Sequence, residues 1–337
     1  MGLGMWLTLD EVHQPKKLPG LSEIVAASKR IANVASKTPL VEAPLLSKRF
    51  QRDIFLKLEC YQPIRVFKIR GAYNKISQLS TVNVISVSSG NHGIAVAYSS
   101  RRLGKKCTIV VPENVVAEKV NMIREYGAEV IKFGTHHDER EAKAQQIVKE
   151  TGAVYVHPYN DYDVIAGQGT CGLEMLDQLD EFDSIIVPVG GGGLISGVAI
   201  AIKSKRPSVK IYAVEPQATP KLQAAMNARK IVTIQPQKTI ADGLNATSMG
   251  DLTFEACMKF VDDVYTVSDS QILTALKLMI REAHIFPEPS AAASVAALLT
   301  NRDSEAFGKK VVLVVSGGNV SLKLLSDILS DDTPDKS

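Results

Sequence analysis

The chain has 337 residues, 45% hydrophobic and 22% charged, with 23 glycines and 15 prolines. This is the composition of a folded globular protein with room for about two domains, which excludes collagen-like repeats and long disorder. The formal net charge is +3 and no basic run stands out, so no nucleic-acid or membrane surface is indicated and a small-molecule partner is expected.

In chain order, the opening MGLGMWLTLDEVHQPKK lacks the basic head and apolar stretch of a leader, and Trp6 stands where a myristoylation signal has Ser or Thr. No apolar run approaches the ~20 residues that span a bilayer. A cytoplasmic protein is expected. From Val82 onward, short Val- and Ile-rich runs predict strands: VNVISVS (82–88), CTIVVP (107–112), AEVIKF (128–133), AVYVHP (153–158), SIIVPV (184–189), VKIYAV (209–214), DVYTV (263–267) and KVVLVVS (310–316). Helical patterns fall between them, including 93–103, 117–126, 138–150 and 269–284. Continuous rather than alternating apolar runs, separated by helices, indicate parallel strands covered on both faces. The class is α/β. The closing DDTPDKS is polar and is expected to fray. Cys60, Cys107, Cys171 and Cys257 include no C-x-x-C pair, so four reduced, mostly buried thiols are expected rather than a zinc or redox site.

Ligands in open α/β sheets bind beyond the carboxyl ends of strands, and three such ends carry unusual residues. SSGNHG follows Val87, GGGG follows Val189 and SGGN follows Val315. The strongest is SIIVPVGGGGLISG, in which Gly190, Gly191, Gly192 and Gly193 lead from a buried strand into an expected amphipathic helix. Without Cβ atoms, consecutive N–H groups can converge on a phosphate at the helix N-terminus. A dinucleotide is a second candidate, since Glu215 lies where an acid would hold a ribose, yet no register fits G-x-G-x-x-G and no Walker lysine follows. In VFKIRGA, Lys68 lies between Phe67 and Ile69. An apolar setting lowers an amine's pKa and makes it a nucleophile for imine formation, although by itself the heptapeptide equally describes a lysine solvated at its tip.

Taken in order, VFKIRGA, SSGNHG, GGGGLISG, EPSAA (288–292) and SGGN (316–319) resemble the threonine/serine dehydratase and serine racemase branch of the fold-type II pyridoxal phosphate-dependent enzymes. The resemblance spans about 24–325. It implies two open, mostly parallel sheets flanked by helices, with a large domain from 1–76 and 158–337 and a smaller inserted domain at 77–157 carrying the substrate loop. It implies pyridoxal 5'-phosphate as cofactor, a small amino acid as substrate, and a homodimer or homotetramer. Lys68 would form the imine linkage with Phe67 packed beside it, and Asn91 would meet the ring hydroxyl. Gly190, Gly191, Gly192, Gly193 and Leu194 would cradle the phosphate, and Ser316 would face the ring nitrogen. Ser88, Ser89, Asn91 and His92 would receive the substrate carboxylate. Arg140 corresponds to a position near the substrate side chain, although a surface ion pair is an alternative there. His136 and His137 read as a solvated pair.

The expected reaction is dehydration of L-threonine or L-serine to a 2-oxo acid and ammonia. Serine racemisation, alone or as a second activity, and hydroxyaspartate dehydration are alternatives, as is an NAD-dependent oxidoreductase from a different class. Ser89 bears on the choice, because racemase-like members carry serine there as a second base opposite the lysine; hydrogen bonding to the substrate carboxylate is the other reading. Two departures stand out. Ile64, Arg65 and Val66 replace the usual Thr-Gly-Ser before Phe-Lys, which argues against nucleotide activation. The family's cation site has an acid six residues after its Glu, whereas here Lys221 follows Glu215. An ammonium paired with Glu215 would stand in for the ion, so no metal is expected. No regulatory module is expected to follow the catalytic region.

Overall fold

The computed structural model describes residues 17–235 and 237–330, so Trp6 and the polar segment after residue 330 lie outside the described residues. The described residues contain ten strands: β1 (Leu40–Glu42), β2 (Asp53–Leu58), β3 (Asn83–Val87), β4 (Lys106–Val111), β5 (Glu129–Lys132), β6 (Val154–Tyr155), β7 (Ser184–Pro188), β8 (Lys210–Pro216), β9 (Asp263–Val267) and β10 (Lys310–Val315). They form a six-stranded sheet, β1-β2-β10-β7-β8-β9, and a four-stranded sheet, β5-β4-β3-β6. Every pairing is parallel except that of β1 with β2. The α/β class and the two mostly parallel sheets expected from the sequence are therefore present, and each of the eight predicted strands is found.

The central strands explain why their sequences are so uniformly apolar. Along β10, Val311, Leu313 and Val315 enter one core while Val312 and Val314 enter the core on the opposite face. Both faces are covered by helix, so neither side chain set can be polar. The helix Gly193–Lys205 differs from the amphipathic one expected, since it is buried on every side from Gly193 to Ile202. It lies between the sheet and the helix Tyr162–Gln178, leaving no solvent face for polar residues.

Glycine permits that helix layer to close. A Cβ on Gly167 would lie 2.6 Å from the Arg70 carbonyl oxygen, and one on Gly197 would lie 2.4 Å from the Ile165 carbonyl oxygen. The helices Lys68–Ile76, Tyr162–Gln178 and Gly193–Lys205 thus meet backbone to backbone, at a cost in helix propensity offset by close packing. All four cysteines are free and buried. Among the described residues, no helix is long and apolar enough to cross a membrane.

Candidate active site

The carboxyl ends of β3, β7 and β10 open onto one cavity of about 480 Å³. The residues that the resemblance assigns to cofactor and substrate all border it: Phe67 and Lys68, Ser88, Ser89, Asn91 and His92, Arg140, the glycines 190–193 with Leu194, and Ser316; Glu215 and Lys221 do not. These residues come from both sheets, and only the fold brings them together.

Lys68 opens the helix Lys68–Ile76 and is half-buried in the cavity wall. Its Nζ donates to the Pro158 carbonyl oxygen at 2.7 Å and lies 5.2 Å from the centre of the Phe67 ring. Burial pulls the amine down to about 8, opposed by the charge of Glu288. At neutral pH a fraction of such an amine is unprotonated and nucleophilic. Its backbone is fastened on two sides. In front, Val66 bridges to Gly317, and the Phe67 N–H donates to the Ser316 carbonyl oxygen at 3.1 Å. Behind, the wholly buried Arg70 guanidinium donates to both oxygens of Glu59 and to both oxygens of Glu174, all at 2.7 to 2.8 Å. Burial alone would raise the Glu59 carboxyl, but the Arg70 charge outweighs it and holds the group down at about 2.

The glycine loop is shaped by its neighbours. A Cβ on Gly191 would stand 2.1 Å from the Tyr159 ring, one on Gly190 would stand 2.9 Å from the Gly243 carbonyl oxygen, and Gly192 has φ +94°. No side chain fits at these positions without displacement, and the first-turn N–H groups of the helix Gly193–Lys205 lack intrahelical acceptors. Close backbone approach and unpaired N–H groups at a helix start are the features that a phosphate site requires.

A second helix start faces the same cavity. Ser88, Ser89 and Gly90 run into the helix Asn91–Arg102, so Asn91 and His92 belong to its first turn rather than to a loop. His92 Nε2 lies 3.0 Å from the Val156 carbonyl oxygen, while its buried Nδ1 has no partner. Burial, aided by the nearby Lys68 charge, drops this imidazole to about 3, so it is neutral.

Three features of the site were not assigned from the sequence. Glu288, buried at the start of the helix Pro289–Thr300, accepts from Asn91 Nδ2 through both oxygens at 2.9 Å, and Asn319 Nδ2 donates to Asn91 Oδ1 at 2.8 Å. Burial raises the Glu288 carboxyl to about 7 despite the Asn91 hydrogen bonds. At the mouth, Lys119 and Asp242 form a 2.6 Å ion pair across the opening. There too His137, exposed as the sequence reading has it and 3.4 Å from Glu141, borders the cavity, which that reading did not foresee. Arg140 is half-buried and donates to the Thr135 carbonyl oxygen at 3.1 Å, a backbone contact rather than an ion pair.

The chain matches the family model described as pyridoxal-phosphate dependent enzyme over residues 31–317. It belongs to that family. It is 40% identical to an L-threonine ammonia-lyase of Thermotoga maritima over 92% of this chain and 78% of that protein. It is 38% identical to an L-threo-3-hydroxyaspartate ammonia-lyase of Saccharomyces cerevisiae, covering 93% of this chain and 97% of that protein. The structure of maize serine racemase superposes with a TM-score of 0.88 at 39% identity, covering 92% and 96% of the two chains. The cofactor of this pyridoxal-phosphate dependent enzyme fits the residues present: a glycine cradle that admits no Cβ, and an amine with a lowered pKa in the same cavity.

Proposed function

We propose that this pyridoxal-phosphate dependent enzyme converts L-threonine and L-serine to the corresponding 2-oxo acid and ammonia. One observation carries the reading: the Lys68 amine, drawn down to about 8, shares its cavity with two helix N-termini. One N-terminus suits the cofactor phosphate and the other a substrate carboxylate. When bound, pyridoxal phosphate supplies the electron sink that makes the substrate Cα–H acidic.

The chain's own residues supply the rest. The N–H groups of the glycine loop would hold the phosphate, and those at Ser89, Gly90 and Asn91 would hold and orient the carboxylate. Lys68 Nζ would take the Cα proton, general-base work suited to an amine near neutral pKa. The β-hydroxyl leaves as water, one water returns in hydrolysis, and the products are a 2-oxo acid and ammonia with no redox change. Ser316, a buried neutral hydroxyl in the cavity wall, would offer no negative charge to keep a ring nitrogen placed against it protonated. That favours prompt loss of a β-substituent over long-lived carbanion chemistry.

Two further activities have support. Ser89 borders the cavity with Lys68, as a second base for serine racemisation would. Arg140 and His137 at the mouth suit the extra carboxylate of 3-hydroxyaspartate. The test is a panel of L-threonine, L-serine, D-serine and threo-3-hydroxyaspartate, with 2-oxo acid, ammonia and enantiomer ratio read together. Cofactor-loaded protein should release 2-oxo acid from L-threonine or L-serine, and Lys68→Ala should not. No 2-oxo acid from either substrate, or a fully active Lys68→Ala enzyme, would refute the proposal.

A further inference from the structure

Beneath the glycine cradle lies a charged pair that the reaction above does not use. Lys221, at the start of the helix Lys221–Ala228, and Glu215, in β8, are both fully buried. Four oxygens surround Lys221 Nζ: Glu215 Oε1 at 3.0 Å and the carbonyl oxygens of Val189 at 2.8 Å, Leu244 at 3.1 Å and Thr219 at 3.3 Å. Every one is an acceptor. A neutral amine has two N–H donors and a lone pair, which would face oxygen here, whereas an ammonium has three donors and no lone pair. Burial lowers the pKa of the Lys221 amine, and the Glu215 carboxylate and its hydrogen bond oppose that shift without cancelling it, so what calls for the ammonium is the set of four oxygen acceptors around it. Glu215 is itself anchored, because its two oxygens accept from the backbone N–H groups of Leu222 and Gln223 at 2.9 and 3.0 Å.

The carbonyls reveal what the ammonium joins. Val189 directly precedes Gly190, the first residue of the cradle, and Leu244 belongs to the segment that borders the cavity opposite it. Those two segments touch at Gly190 and Gly243, where a Cβ would lie 2.9 Å from a carbonyl oxygen. Carbonyl and carboxylate oxygens converging on one positive centre are also the donor set that binds hard cations.

We propose that the Lys221 ammonium is a tethered cation that holds the phosphate-cradling loop and the facing 241–246 segment in register, doing in covalently attached form what a dissociable monovalent ion would do. Lys221 is a positioning residue, acting on the cofactor through backbone carbonyls. The inference is independent of the reaction proposed above, since cofactor retention is measured without any substrate.

The experiment uses full-length holoprotein and its Lys221→Ala, Lys221→Met and Glu215→Gln/Lys221→Met variants in a choline buffer, with cofactor dissociation and Tm followed as KCl or NH4Cl is added. Lys221→Ala should bind pyridoxal phosphate about tenfold more weakly or worse, the scale of losing a supporting ligand. Potassium or ammonium should restore its affinity, while the wild type should not respond to either. Lys221→Met fills the space with an uncharged chain and should stay weak in every salt. The double variant leaves no charge at this site and should fold even where Lys221→Ala does not; with its carbonyls untied, it too should hold the cofactor weakly. Wild-type cofactor affinity in the double variant, no cation response in a folded Lys221→Ala, or equal restoration by added choline would each overturn the tethered-cation role.

Discussion

The two sides of the cavity are built differently. On the side of the six-stranded sheet, the helices Gly193–Lys205 and Pro289–Thr300 are buried without interruption over ten consecutive residues each. Its charges, Arg70 with Glu59 and Lys221 with Glu215, are wholly buried and multiply bonded. On the side of the four-stranded sheet, β5 has no buried residue, and the helix His137–Thr151 buries only Ala144. Regions with few buried contacts open at lower free energy than densely packed ones. On the function proposed above, the cofactor would take the preformed side and the substrate the more yielding wall, with the exposed Lys119–Asp242 pair at the mouth.

The sharpest way to break the preformed side is Arg70→Leu. It strands Glu59 and Glu174 without the guanidinium that satisfies both, and breaking a buried pair in this way costs about 3–5 kcal/mol. Urea unfolding should register that loss, together with release of cofactor. The pH dependence has a definite sign. Glu59 titrates at about 2 rather than 4.5, so its stabilisation is complete above pH 4.5 and disappears as pH falls towards 2. Arg70→Leu should abolish that acid-limb dependence.

Glu288 should behave in the opposite sense. Its carboxyl is raised from 4.5 to about 7, so between these values the folded apo-protein holds a proton that the unfolded chain has lost. Stability should therefore decline as pH rises from 4.5 to 7, by about 3 kcal/mol at ~1.4 kcal/mol per pH unit. Glu288→Gln should flatten that decline when apo-protein is unfolded at about pH 5 and about pH 8. An equal decline in the variant would assign it to another group. Gly167→Ala is a smaller test of the same side. The new Cβ meets the Arg70 carbonyl and the Gly71 Cα at 2.6 Å, both backbone atoms, and overpacking of this kind costs about 1–3 kcal/mol.

How much of this was legible in the sequence follows the same division. Strands with uninterrupted Val and Ile, such as β7 and β10, stand out because burial on both faces leaves one kind of residue acceptable. β2 reads DIFLKL and escapes notice, because Lys57 looks solvent-facing but is buried against Glu174 and the Thr38 carbonyl oxygen. The helix Tyr162–Gln178 is masked by Gly167, Gly169 and Gly172, which lower helix propensity and show their use only against a neighbouring backbone. In the site, the glycine loop and Lys68 carry local signals. Glu288 stands in the EPSAA motif, but nothing local gives its role, since its partner Asn91 is 197 residues away in sequence. The Lys221–Glu215 pairing was expected only through the resemblance, whose cation site has an acid where this chain has Lys221, and the structure places the two 3.0 Å apart.

The yielding side is best probed where stability should hardly change, at Arg140. Its helix buries one residue, and its side chain makes a single 3.1 Å backbone hydrogen bond while reaching the cavity. Losing such a contact on a partly exposed helix should alter stability by no more than about 0.5 kcal/mol. Selectivity is another matter. A β-carboxylate that pairs with a guanidinium gains a charge-assisted, potentially bidentate contact that the methyl group of threonine cannot make. Arg140→Ala should therefore leave kcat/KM for L-threonine within about twofold and lower that for threo-3-hydroxyaspartate by tenfold or more, about 1.4 kcal/mol. Arg140→Lys should recover part of the loss, since it keeps the charge and loses the fork. An unchanged ratio between the two substrates would remove Arg140 from substrate selection and leave it as a support for the 135–140 turn. An equal fall for both would place its effect on the loop as a whole, and the two sides of the cavity would then be coupled more tightly than their packing indicates.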